Sequence, residues 1–80
     1  MQVRGFELGS IKMTLSQRIK ELRHKADITL DELSKRSQVA KSTLSRIETG
    51  QSLGTTKSLV KLAKAFQMSV QELISEVKFE

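Results

Sequence analysis

The 80-residue chain has no cysteine, no proline, no tryptophan and no tyrosine. Without cysteine, neither a disulfide framework nor a thiolate metal site can form. That composition suits a reducing compartment, and a cytoplasmic location is the expectation. Without proline, nothing in the composition breaks a series of short helices. Phe6, Phe66 and Phe79 are the aromatic residues, too few to build the base-stacking platform that single-stranded nucleic acid needs. No apolar run approaches the roughly 20 residues that span a bilayer. The opening "MQVRGFELGS" lacks the apolar stretch of a secretory signal.

Catalytic groups are equally scarce. His24 is the single histidine, so a zinc site is not expected and no Ser-His-acid set can be assembled on that charged first helix. Gly5, Gly9, Gly50 and Gly54 are scattered and make no phosphate-cradling loop. No cofactor is expected, and the chain reads as a non-enzyme.

What the chain does have is positive charge in a particular place. The formal net charge is +5. Between residues 35 and 71, Lys35, Arg36, Lys41, Arg46, Lys57, Lys61 and Lys64 stand against Glu48 alone. The last residues reverse the sign, with Glu72, Glu76 and Glu80 against Lys78. A basic centre points to a polyanionic partner, although a merely solvated surface has the same composition.

With 80 residues, one domain is the limit. Helical periodicity begins at Leu15 and continues through Ile19, Leu22 and Ala26 on one face. Thr14 with Gln17 has the form of a capping box, in which side chain and backbone of the two residues satisfy each other's N–H groups. "KADIT" breaks the period. Thr29 with Glu32 opens a second helix that buries Leu30 and Leu33 and ends near Ser37. The segment 39–49 forms a third and Gly50 stops it. Thr55 caps a fourth, with Leu59, Leu62, Ala63 and Phe66 as its core face. Ser69 with Glu72 opens a fifth, which buries Val70, Leu73, Ile74 and, on one of two readings, Val77. An all-α core of five helices over 14–76 follows. The flanks, 1–13 and 77–80, alternate differently. Phe6 with Leu8, and Val77 with Phe79, follow a period of two, which reads as short terminal strand or as frayed ends.

The third helix is unusual. Its core edge is narrow, Leu44 and Ile47 only, and opposite it lie Lys41, Ser42, Ser45, Arg46 and Thr49. Small hydroxyl side chains let a helix backbone sink into the major groove, about 12 Å wide, while Lys and Arg reach phosphates or guanine edges. A short helix at 30–37, a turn at 38–40 and a second helix at 41–49 make a helix-turn-helix unit.

On "TLDELSKRSQVAKSTLSRIETGQ" followed by "TTKSLVKLAKAFQMSVQELI", the chain resembles the phage-repressor-like (lambda repressor-like, XRE-type) helix-turn-helix family across roughly 14–76. The resemblance implies a five-helix fold, with the third helix reading double-stranded DNA, and a homodimeric repressor of transcription on a palindromic operator. Carried over by position, Lys41, Ser42 and Arg46 are the base-reading residues. Thr43 and Ser45 lie near the DNA backbone, with Thr29, Thr49, Thr55 and Lys57 completing the backbone set. Arg23 and Glu48 match an internal ion pair between helices 1 and 3. Three positions depart from the family's habit: Leu30 stands where some members carry a phosphate-binding polar residue, Gln38 where many have glycine, and Ala40 where many have serine or threonine. The alternative implied role is that of an antitoxin, which binds a toxin protein and represses its own operon. The expected dimer interface is helix 5 with at least one terminal strand, paired across subunits or between the two ends of one chain.

Overall fold

The computed structural model describes residues 13–79. Five helices follow in order: α1 (Leu15–Lys25), α2 (Leu30–Ser37), α3 (Lys41–Glu48), α4 (Thr56–Ala65) and α5 (Val70–Ile74). Each start has a local cause. Thr14, Thr29 and Ser69 accept from the N–H groups of Gln17, Glu32 and Glu72, whose side chains return the bond. Thr55 builds the same reciprocal box with Ser58 in place of a longer side chain. In α2 the dipole is matched at both ends, with Asp31 and Glu32 in the first turn and Lys35 and Arg36 in the last.

Three helix exits use left-handed residues other than glycine: Asp27, Gln38 and Gln67, with φ of 57°, 62° and 60°. Asp27 turns the chain so soon after α1 that Ala26, expected on the core face, is exposed. The same turn drives Ile28 inward to 7% exposure.

The core is shared by all five helices. Leu15, Ile19, Leu33, Leu44, Ile47, Leu62 and Leu73 are essentially inaccessible. Leu59, Phe66, Val70 and Ile74 are half-buried against them. Full burial of such a side chain contributes about 1.5–3 kcal/mol, so these seven supply much of the stability. The α3 helix packs on α1 and α2, α4 on α2 and α5, and α5 also on α1.

The ends meet within one chain, the second of the two pairings expected, but as a single bridge and not as strands. Among the described residues their only pairing is one parallel bridge, Met13 with Val77. The Met13 N–H donates to the Glu76 carbonyl at 3.0 Å, and the Lys78 N–H to the Met13 carbonyl at 2.9 Å. Met13 leads directly into α1 and Val77 has just left α5, so a parallel ladder has no room to lengthen. Val77 also joins the helical core, the alternative to the strand role in an interface that its period of two suggested. Phe79 remains 49% exposed. Phe6 and Leu8 lie outside the described residues.

Candidate nucleic-acid interface

The turn between α2 and α3 fixes the angle at which α3 leaves the domain. Gln38 adopts the left-handed conformation that glycine usually takes, at a cost of about 1–2 kcal/mol for a residue with a Cβ. Two serines compensate. Ser34 Oγ donates to the Val39 carbonyl at 2.7 Å, and the Val39 N–H donates to the buried Ser37 Oγ at 3.1 Å. The Val39 side chain is buried and pins the turn from inside. Ala40 has no side-chain cap to offer α3, so the first N–H groups of that helix stay open.

The Arg23–Glu48 pair ties α1 to α3. Arg23 Nε donates to Glu48 Oε2 at 2.7 Å, and Nη2 to Oε1 at 3.1 Å. The remaining arm, Nη1, donates to the Ile28 carbonyl at 3.0 Å. Side-chain exposures are 16% and 7%. The hydrogen bond to Glu48 raises the Arg23 guanidinium above its ordinary range, desolvation opposes it, and the Glu48 charge reinforces it. Ser16 Oγ donates to the Glu48 backbone carbonyl, a second tie from α1 to the end of α3. The one acidic residue of α3 is therefore turned inward.

The outer face of α3 carries Lys41, Ser42, Ser45, Arg46 and Thr49, all exposed, while Thr43 is half-buried. Two clefts flank it. One, of about 410 Å³, lies between α3 and the start of α4, and brings together Thr43, Arg46, Thr55 and Lys57. The other, of about 660 Å³, lies between the ends of α1, α2 and α3 and brings Thr29 to Lys41. Several hydroxyls are already engaged. Thr49 Oγ1 donates to the Ser45 and Arg46 carbonyls, and Thr55 Oγ1 both caps α4 and contacts Ser58 Oγ at 3.3 Å. Thr29 caps α2 as an acceptor, which leaves its O–H proton to donate outward. Gly54 lines the first cleft, and a larger residue there would be strained: its φ is +73°, and a Cβ would come within 2.7 Å of Ser58 Oγ and 3.0 Å of Ile47 Cδ1 unless those side chains shifted.

Two charged residues of this surface were not singled out from sequence. Lys61 lines the same cleft as Lys57 and reaches the Gln38 carbonyl at 3.5 Å. Its four-residue spacing from Lys57 is the signal that marks both as one helix face. Asp31 pairs with Lys41 at 3.0 Å, a contact between helices that no local spacing reveals. Among the described residues no cluster of histidine and acids could hold a metal ion, and no helix is long and apolar enough to cross a membrane.

Two short helices joined by a tight turn, the second carrying a basic, hydroxyl-rich outer face, define a helix-turn-helix DNA-binding domain. The comparisons agree. The helix-turn-helix family profile matches residues 19–73. The fold superposes on the DNA-binding domain of the P22 C2 repressor with a TM-score of 0.72 and 27% identity, covering 79% of this chain and 83% of that one. It superposes on the SinR protein/SinI protein complex structure with a TM-score of 0.71 and 34% identity, covering 79% of this chain and 62% of the matched chain. No curated protein sequence matches. The chain belongs to the lambda-repressor-like, XRE-type helix-turn-helix family, whose members are DNA-binding transcriptional regulators.

Proposed function

We propose that the protein is a sequence-specific repressor that binds a palindromic operator as a homodimer and inserts α3 into the major groove. One observation carries the reading: Ser42, Ser45, Lys41 and Arg46 form an exposed face with no acid of its own helix in it, because Glu48 is held inside by Arg23. Short side chains allow close approach, Lys41, Ser42 and Arg46 reach base edges, and Thr29, Thr43, Ser45, Thr49, Thr55 and Lys57 lie along the sugar-phosphate track. In the dimer, the 49% exposed Phe79 gives a second subunit an apolar anchor beside α5. The protein acts in the cytoplasm and performs no catalysis.

The test is selection of bound duplexes from a random pool, followed by footprinting. The expected product is an inverted repeat whose half-site centres lie about one turn, roughly 34 Å, apart. With about six phosphates neutralised per dimer, log K should fall against log[salt] with a slope near −5, an order-of-magnitude figure. A pool that shows no enrichment, or a flat salt response, refutes the reading.

A second role rests on a different observation. SinR, whose structure this chain resembles, was solved in a complex with SinI protein. A protein partner, a toxin in the antitoxin reading, is compatible with DNA binding by the same chain. Co-purification with the product of an adjacent gene supports it, and a chain that purifies alone from its native host counts against it.

A further inference from the structure

We propose that Asp31 is a specificity-determining residue, because its ion pair with Lys41 steers that lysine away from phosphates and toward base edges. The inference rests on the reading of α3 as the DNA-reading helix. Lys41 is the first residue of α3 and Asp31 the second of α2, so the pair joins the starts of the two helices of the unit. Lys41 Nζ and Asp31 Oδ1 are 3.0 Å apart, with side chains 56% and 68% exposed. Glu32, the other acid of that turn, is occupied in the capping box with Thr29. Asp31 instead turns to the lysine and lines the same cleft as Thr29 and Lys41.

A pair this exposed adds almost nothing to stability, and a carboxylate beside a DNA-facing lysine lowers the attraction for any phosphate. Its effect is on discrimination. A free lysine is a compact point charge that any phosphate attracts. Beside Asp31 the pair is close to neutral, and a phosphate that takes Lys41 must displace the carboxylate or sit against it. A guanine edge offers O6 and N7, acceptors without net charge. The ammonium has three donors and can serve such an edge without releasing Asp31. Random DNA, bound through phosphates, loses most from this arrangement, and a site with guanine under Lys41 loses least.

The experiment compares the full-length wild type, Asp31→Asn and Asp31→Glu on the selected operator and on a scrambled duplex of equal length, by fluorescence anisotropy across a salt series. Asp31→Asn adds about one effective positive charge per protomer. On the scrambled duplex the salt slope should steepen by about 0.9 per protomer, and affinity at 0.1 M salt should rise roughly eightfold per protomer. Operator affinity should rise less, so the operator-to-scrambled ratio falls. Asp31→Glu, which keeps the charge, should retain most of the ratio. If Asp31→Asn moves both duplexes by the same factor, in either direction or not at all, the proposal is overturned while the repressor reading stands. A wild type that selects no operator overturns both.

Discussion

Replacing Arg23 with methionine tests whether the orientation of α3 depends on one ion pair. The substitution keeps the aliphatic stem and removes two hydrogen bonds to the Glu48 carboxylate, one to the Ile28 carbonyl and a long contact, 3.4 Å, with His24 Nε2. Glu48, 7% exposed, is left as a nearly buried charge. Removing one partner of such a pair costs about 3–5 kcal/mol. The 16% exposure of Arg23 admits some water, so the lower end, about 3 kcal/mol, is expected. For a domain of this size each 1 kcal/mol lowers Tm by about 4–8 °C, which gives a fall of roughly 12 °C or more. Native stability at about 0.05–0.15 kcal/mol per residue would be reduced by a quarter or more. Thermal and urea unfolding followed by far-UV circular dichroism measure the loss. The double variant Arg23→Met with Glu48→Leu, which removes both charges, should recover most of it. A loss below about 1 kcal/mol for Arg23→Met alone would place the pair with ordinary surface pairs and refute the role assigned to it.

Arg46→Ala and Lys41→Ala should each weaken operator binding by about 1–3 kcal/mol and relax preference at one base pair per half-site; equal weakening on random DNA in a binding titration would make the residue a phosphate contact. The Thr29 backbone N–H lowers the Glu32 carboxyl below its ordinary value of 4.5, so the charged form is favoured by folding. Relative to Glu32→Gln, the wild type should be more stable above that ordinary value and lose the difference as pH falls through the lowered one, as unfolding curves at several pH values will show. Ala40→Ser should supply the missing cap of α3 and raise stability by about 1 kcal/mol, readable as a higher urea midpoint.

Much of this architecture is legible in the sequence, because the helix starts are written in local chemistry. Thr14, Thr29 and Ser69 each precede their partner by three residues, and all three boxes form. Thr55 was legible as the cap of α4, but its reciprocal box was not, because Ser58 does the work of a longer side chain. Burial in turns was not legible. Ile28 and Val39 lie outside any helical period and are inserted by the left-handed residues Asp27 and Gln38, and Ala26 was counted into a period that had already ended. Val77 could be read either as a core residue following α5 or as a strand residue awaiting a partner subunit; the distance between α5 and the start of α1 decides for the core, and only three dimensions contain that distance. On the candidate interface the exposed stripe of α3 followed from its narrow apolar edge. The inward turn of Glu48 had only the family resemblance behind it, and the Lys41–Asp31 contact had no sequence signal.

The Met13–Val77 bridge has a consequence for the order of folding. The helices of this domain form from contacts close in sequence, whereas the bridge joins positions 64 residues apart. Closing so large a loop is entropically unfavourable until the intervening helices have shortened it, so the bridge belongs to the last step of folding. By the same argument it is the first contact to open. The amides of Met13 and Lys78, which make its two hydrogen bonds, should exchange with solvent through a local opening of low free energy, well ahead of the amides of α3. The two ends of the domain can thus part locally while the helix-turn-helix unit stays folded, with α1 and α5 still tied by Arg18, whose Nε and Nη2 donate to the Leu73 and Glu72 carbonyls.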